Sequence, residues 1–303
     1  GSETIDGRTT FIVRQGERVQ LVCDGSNFKL ISSFHRGIAT NMRTDFFNLP
    51  QALGQESVAI GLGTIAGVGN TSNAVAIGTN AQAGSNATAI GGSTNAGSSY
   101  STALGKNSGG GGSVTATGGG AMALGGSYAS GLNSFAAAIA NNTSSYGANA
   151  SYSIAIGFNT KSNATYGTAI GYQCGNYASY GLAMGRSTSN YATDGIAIGD
   201  TVSNLGANSV AIGDRAYTSA TGSFALGTQS RTFQQYQFAY AGGQFAALGD
   251  AQGSMYILRA ATTDATATVL TTDGGAAGGA NLIEVKSDQC LTFDGTITAM
   301  QNG

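Results

Sequence analysis

Ala155-Ile156-Gly157, Ala169-Ile170-Gly171, Ala183-Met184-Gly185, Ala197-Ile198-Gly199, Ala211-Ile212-Gly213 and Ala225-Leu226-Gly227 are six copies of one phrase, and its central residue advances by fourteen each time. A fixed period with a fixed apolar residue means one structural unit stacked on its neighbours. Within a copy such as Val210-Ala211-Ile212 the residues run large, small, large. On a strand the two large side chains then share one face and the alanine takes the other. A second short strand is expected half a period on, marked by Ala164, Ala178, Ala192 and Ala220. Two strands and two tight turns fill the period, with Gly and Asn supplying the turn conformations.

Upstream the phrase continues less evenly, with central residues at Ile60, Ile77, Ile90, Leu104, Leu124 and Ile139. Stretches such as 109–112 and Thr143-Ser144-Ser145 read as loops inserted into single turns, and Ala138-Ile139-Ala140 as one broken copy. Twelve turns spaced by about 4.8 Å make a rod on the order of 55 Å long. After Gly227 the register is expected to be lost, with Ala247-Leu248-Gly249 as a stray copy.

Composition fits this reading. Among 303 residues there are 49 Gly, one Pro and no Trp, and 9% are charged. Long aliphatic residues are too sparse for a wide interior, so the packed spaces must be narrow and lined by small side chains. With no amphipathic 3.6-period run, helices are not expected. A disordered Gly/Ser-rich chain would keep no register. The net charge of −2 is dispersed, with no basic stripe for nucleic acid and no segment for membrane insertion. Cys23, Cys174 and Cys290 form neither a disulfide framework nor a metal pattern and read as buried or incidental thiols. A single thin coil cannot bury enough apolar area to offset roughly 1–2 kcal/mol per residue of backbone entropy, so several coils should associate through an apolar face. Threefold closure is the simplest fit for a rod.

The flanks differ from the repeat. Thr10-Phe11-Ile12-Val13-Arg14 and Arg18-Val19-Gln20-Leu21-Val22 read as a hairpin, with a second turn at Cys23-Asp24-Gly25-Ser26-Asn27 and a third strand at Phe28-Lys29-Leu30-Ile31. The segment from Ser33 to Asn48 reads as a connector. Beyond the repeat, Met255-Tyr256-Ile257-Leu258-Arg259, Ala267-Thr268-Val269-Leu270, Leu282-Ile283-Glu284-Val285 and Leu291-Thr292-Phe293 read as strands of a separate β domain that continues past residue 303. Three regions follow: an N-terminal β module and connector (1–50), the repeat (51–232) and the C-terminal β domain (233–303).

The Ser-Val-Ala-Ile-Gly phrase, at Ser57 to Gly61 and Ser209 to Gly213, resembles the head repeat of YadA-like trimeric adhesins. That resemblance implies an all-β fold, a homotrimeric left-handed parallel β-roll. The flanking Tyr256-Ile257-Leu258-Arg259, Leu270-Thr271-Thr272-Asp273-Gly274 and Leu291-Thr292-Phe293-Asp294-Gly295 resemble a β domain of bacteriophage tail fibres. The run from Val19 to Gly25 is similar to short β modules near the start of such fibres. Together they imply a tail-fibre protein of the virion that contributes to host attachment. Its partners would be itself, a host cell-surface glycan or protein receptor, and other virion tail proteins. The alternative is the head of a bacterial trimeric autotransporter adhesin on the outer surface.

Catalysis finds no support in the residues. Hexapeptide-repeat acyltransferases need a catalytic His, and the sole one, His35, lies outside the repeat. No cofactor, metal or catalytic residue is expected. Asp200 and Asp214 occupy one repeat position with Arg186 a turn earlier, which reads as a surface ion pair rather than a glycosidase dyad. An ice-binding solenoid would need regular Thr ranks, which the mixed positions deny. The informative side chains are aromatic: Tyr152, Tyr166 and Tyr180; Phe158 and Tyr172; Tyr177 and Tyr191, each set fourteen apart. Stacking makes each set a ladder, and the ladders are expected to form an aromatic band that stabilises the rod or offers ring faces to sugars.

Overall fold

The computed structural model of the chain describes residues 49–69, 72–106, 113–138, 145–264, 266–283 and 292–298, together with the strands Arg18–Cys23, Phe28–Phe34 and Gly37–Thr40. Among these residues there is no helix, and the strands wind into a parallel β-solenoid of about 13 turns. Two sheets run along it. The wide sheet has fifteen strands and the narrow sheet thirteen, the latter only two residues long each.

In the wide sheet Ala197 pairs with Ala211, Ile198 with Ile212 and Gly199 with Gly213. The alanines point into the coil and are fully buried, while Val210 and Ile212 stand on the outer face, half-buried. Only a methyl group fits between two sheets folded so tightly, hence the fixed alanine. The glycine has its own cause. Gly199 sits at φ 135°, where a β-carbon would also run into the carbonyl oxygen of Gly213 in the next turn.

The narrow strands, such as Lys161–Ser162, Ser189–Asn190 and Ser203–Asn204, begin five residues after each central residue. This corrects the placement at Ala164, Ala178, Ala192 and Ala220, which fall in the turn that follows. One left-handed residue, for example Asn159 or Gln173, reverses the chain, so the first turn is shorter than half a period implies.

The interior columns are matched in size. Gly167, Gly181 and Gly195 leave room for the amides of Asn176, Asn190 and Asn204, which project from the facing narrow strands. Where that residue is threonine its neighbour is serine: Ser209 lies 3.1 Å from Thr218 and Ser223 lies 2.8 Å from Thr232, hydroxyl to hydroxyl. Asn190 donates to Asn176 Oδ1 at 2.8 Å and to the Ala192 carbonyl at 3.0 Å. Its own Oδ1 has no partner.

Three register expectations are corrected. The copy placed at Ala138-Ile139-Ala140 is built as the strand Phe135–Ala138, with Ala136 in line with Ala123 and Ala155. A slip of two residues keeps the same face, so alternation could not choose; Asn133-Ser134 ahead of the strand matches Asn208-Ser209 and does. Ile139 and Ala140 lie outside the described residues. Next, the register persists beyond Gly227: Arg231–Thr232 pairs with Tyr217–Thr218, and Phe238–Gly242 with Phe224–Thr228. The phrase is disguised there because Ala241 replaces glycine. No parallel turn follows to collide with its β-carbon, so alanine is admitted. Finally, the wide sheet starts at Gly37–Thr40, inside the segment expected as a connector.

The last turn is closed by side chains and by an antiparallel strand. Gln252–Met255 pairs with Phe238–Gly242 and covers the wide sheet's edge. The Gln252 amide accepts from the Arg231 N–H and donates to the Arg231 carbonyl, both at 2.8 Å, so it stands in for a further narrow strand. Gln237 Oε1 accepts from the amides of Phe233 and Gln234. Unpaired edges invite association, and this one is covered.

The flanks match in part. Arg18–Cys23 pairs antiparallel with Phe28–Phe34, as the second turn predicted, whereas residues 10–14 and His35 lie outside the described residues. Ala247-Leu248-Gly249 is a loop, not a repeat copy: the amides of Phe245, Ala246 and Ala247 converge on the Asp250 carboxylate. In place of the strands expected at 255–259 and 267–270 there is Gln252–Met255 and a single bridge from Arg259 to Thr271, while Glu284, Val285 and Leu291 of the other two expected strands lie outside the described residues. Ile257, Val269, Phe293 and Ile297 are exposed. Among the described residues they find no second layer to pack against.

Candidate functional site

The repeat converts each aromatic set into a ladder, as its spacing predicts. Tyr152, Tyr166 and Tyr180 stack with ring centroids 4.9 and 5.1 Å apart. Phe158 and Tyr172 stack at 5.2 Å, and Tyr177 and Tyr191 at 4.6 Å, all within 10° of parallel. They do not form one band. Tyr152, Tyr166 and Tyr180 occupy the turn that enters the wide strand, whereas Phe158 and Tyr172 lie at its far end, six residues on. Tyr177 and Tyr191 follow the narrow strands, and the Tyr177 ring crosses over Gly175, where any side chain would block it.

Stacking also changes what the ladders can offer. Rings piled face to face spend their faces on one another, so the sides turned to solvent are ring edges and phenolic hydroxyls. The expected sugar platform of open faces is therefore restricted to ladder ends. What remains along the Tyr152–Tyr166–Tyr180 edge is a row of hydroxyls on exposed side chains, repeating at about the strand spacing.

These three tyrosines adopt left-handed backbone conformations, with φ of 57°, 58° and 58°. The equivalent turn position holds Asn86, Asn208 or Gly222 in some turns and Glu56, Tyr100, Asp194 or Tyr236 in others, the non-glycine residues all left-handed as well. A bulky side chain there costs roughly 1–2 kcal/mol each. Each stacked pair returns about 0.5–1.5 kcal/mol beyond the area it buries. What sets Tyr152, Tyr166 and Tyr180 apart is that they occupy three consecutive turns and stack while staying exposed.

The column of Phe158 and Tyr172 continues as Arg186, Asp200 and Asp214, in register along the wide sheet. Arg186 pairs with Asp200, as the spacing predicts. The hydrogen bond from Arg186 holds the Asp200 carboxyl below its ordinary pKa, helped by Thr201. A carboxylate so engaged, on the end of a flat outer strand, makes no acid–base dyad with Asp214.

Cys174 is buried at a position that holds Thr160 and Thr188 in neighbouring turns. Thr160 donates to the Gly171 carbonyl at 2.8 Å and Thr188 to that of Gly199 at 2.7 Å; the Cys174 thiol approaches the Gly185 carbonyl at 3.0 Å. Burial pushes its pKa up, so it is a structural thiol in a hydroxyl ladder. Cys23 and Cys290 have no described side chains.

The sequence reading missed a group of cations on the narrow sheet. Lys161 Nζ lies over the Tyr177 ring at 4.9 Å, and the Arg231 guanidinium over Tyr217 and Phe233 at 5.0 and 4.8 Å. The available signal was position within the period: these residues fall five or seven places after the central one. Ending the register at Gly227 hid Arg231 and Phe233.

Comparison with known proteins agrees with the repeat. The model of the YadA head domain repeat matches residues 52–81, 72–84, 83–108, 148–173 and 205–230. Among solved structures, the crystal structure of the collagen-binding domain of the Yersinia adhesin YadA is similar at 20% identity, covering 77% of this chain and 93% of that one with a TM-score of 0.19. Among curated proteins none matches.

Proposed function

We propose that the chain is the non-catalytic, adhesive shaft of a homotrimer displayed at a surface, and that its tyrosine edge contacts a cell-surface glycan or protein receptor. The observation that carries this reading is the ladder of Tyr152, Tyr166 and Tyr180, three consecutive exposed tyrosines stacked along one edge of the rod. Trimer formation is supported by the outer face of the wide sheet. There Ile154, Ile156, Leu182, Met184, Ile196 and Ile198 stand half-exposed in two parallel columns that run along the rod. A face so apolar and so long calls for a partner, and a second and third copy supply matching faces.

The bearer favoured by the repeat match is a bacterium, with the chain as head of a trimeric autotransporter adhesin on the outer surface. A second reading rests on the flanks: stretches 256–274 and 291–299 resemble bacteriophage tail-fibre sequence, which would place the chain in a virion beside other tail proteins. Neighbouring genes distinguish the two. Adhesion is tested by measuring binding of the purified chain to whole bacterial and animal cells, wild type against Tyr166→Ala with Tyr180→Ala. At least a tenfold loss of binding at unchanged mass and circular dichroism is expected. Undiminished binding by the double variant would overturn the role of the tyrosine edge.

A further inference from the structure

The outer face of the narrow sheet carries a second, chemically different surface. From the turn of Lys161 to that of Arg231 it presents Lys161, Tyr177, Tyr191, Tyr217, Arg231 and Phe233 over five turn spacings, about 24 Å. Its outward positions are the first residue of each narrow strand and the residue just after the strand. Among the described residues none of these positions holds Asp or Glu. The acids of this stretch, Asp194, Asp200 and Asp214, sit in a turn or at the end of the wide strand. Against a net charge of −2 for the whole chain, the face is locally cationic.

Among the described residues both cations are held over rings instead of being paired with carboxylates. An ammonium and a guanidinium fixed this way remain available to an anion. Between them lie phenolic rims and the serines Ser189 and Ser203, which are hydrogen-bonding groups suited to hydroxyl-rich ligands. Single-stranded nucleic acid would need open ring faces for its bases. Tyr177 offers none, being stacked on Tyr191 and covered by Lys161, and Arg231 covers one face of Tyr217.

We infer that this face binds an extended anionic polysaccharide, one bearing carboxylates on its sugar rings and lying along the rod. It is a surface separate from the tyrosine edge, although it shares the adhesion reading. Two cations per chain bind weakly; a trimer whose apolar wide faces turn inward presents three such faces outward, and a polymer can engage them together.

The test uses the full chain and immobilised polygalacturonate, with the same polymer after carboxyl reduction as its neutral counterpart. Binding at 50 mM NaCl should be at least tenfold tighter to the acidic polymer and should fall steeply by 500 mM. Lys161→Ala with Arg231→Ala should weaken it at least fivefold, and Tyr177→Ala with Tyr191→Ala should weaken it as well. Tyr166→Ala with Tyr180→Ala should leave it unchanged. Equal affinity for both polymers, or an unaffected Lys161/Arg231 variant, overturns the inference. So does tighter binding to single-stranded oligonucleotide than to polygalacturonate. If the chain binds cells but neither polymer, this surface is refuted and the adhesion reading stands; binding of polymer without cells refutes adhesion alone.

Discussion

Exchanging the interior pair Gly181 and Asn190 for the Ser/Thr pair used two and three turns later should separate shape matching from composition. A β-carbon at residue 181 would press on the Asn190 amide nitrogen and on Asn176 Oδ1. Gly181→Ser alone therefore overpacks a closed interior, at about 1–3 kcal/mol. Asn190→Thr alone keeps a donor for Asn176 Oδ1 in its hydroxyl but takes one of two donors from the Ala192 carbonyl, which retains the Gly195 N–H at 3.1 Å, and leaves space beside Gly181. The lost hydrogen bond costs about 1 kcal/mol, partly offset because the unpartnered Asn190 Oδ1 leaves too. The double substitution copies Ser223 and Thr232, whose hydroxyls meet at 2.8 Å. Its serine can donate to the Ala178 carbonyl, as Ser223 does to that of Ala220 at 2.7 Å. Its threonine can donate to Asn176 Oδ1, as Thr218 does to Asn204 Oδ1. The double variant should come within about 1 kcal/mol of wild type, a coupling of about 1–3 kcal/mol. Urea unfolding followed by circular dichroism, at one protein concentration for all four chains, measures it. Additive losses, to within about 0.5 kcal/mol, would show that the two positions do not compete for space and would refute the argument.

On the wide outer face, Ile198→Asp with Ile212→Asp should leave the β-signal intact and reduce the assembly to monomer in analytical ultracentrifugation; a wild-type chain that already sediments as a monomer refutes the trimer. Gln252→Ala removes two hydrogen bonds from the end cap, each worth about 1 kcal/mol, and should raise amide exchange over 229–242 while leaving the central turns protected. Acid should loosen the turn around Asp273, whose carboxyl is held below its ordinary pKa by the Gly275 amide, then by Asn281 and Thr271. Because the folded pKa is depressed, the stabilisation is complete above the unfolded value of about 3.9 and is lost as pH falls through the lower folded value. Exchange protection of residues 271–281, corrected for the intrinsic rate, should thus be flat from pH 7 to 5 and decline below about 3.9; Asp273→Asn should flatten that decline.

Much of the solenoid was legible because its constraint is repeated and has one cause per position. Alanine is fixed by the narrow interior, and glycine by the carbonyl of the next turn. The failures occurred where a cause lapsed or was doubled. Ala241 escapes the glycine rule because no parallel turn follows it, so the phrase vanished one turn before the coil did. Ala136 and Ala138 both satisfy the alternation, and only the turn residues Asn133-Ser134 break the tie. The C-terminal segment fails for another reason: apolar runs at 255–259 and 267–270 read as strands, and among the described residues Ile257, Val269 and Leu270 stay exposed with no sheet to cover them.

The candidate surfaces were legible as spacing but not as orientation. A fourteen-residue interval guarantees that Tyr166 will meet Tyr180; it does not say that their faces will be consumed in doing so. Orientation matters because it decides the chemistry each surface can perform. An open ring face attracts the apolar side of a sugar or base, whereas a stacked ladder presents hydroxyls and a ring capped by lysine or arginine presents charge. In a coil this thin every second side chain of a strand must point outward, so the outside is where variation is cheapest. The central outward column of the wide face holds a large apolar residue in almost every turn from Ile60 to Leu226, as a contact between copies requires. The tyrosine edge and the cationic stripe each span only some turns, and no packing rule inside the coil demands either. Such local departures from a uniform repeat are where we propose contact with something other than the rod itself.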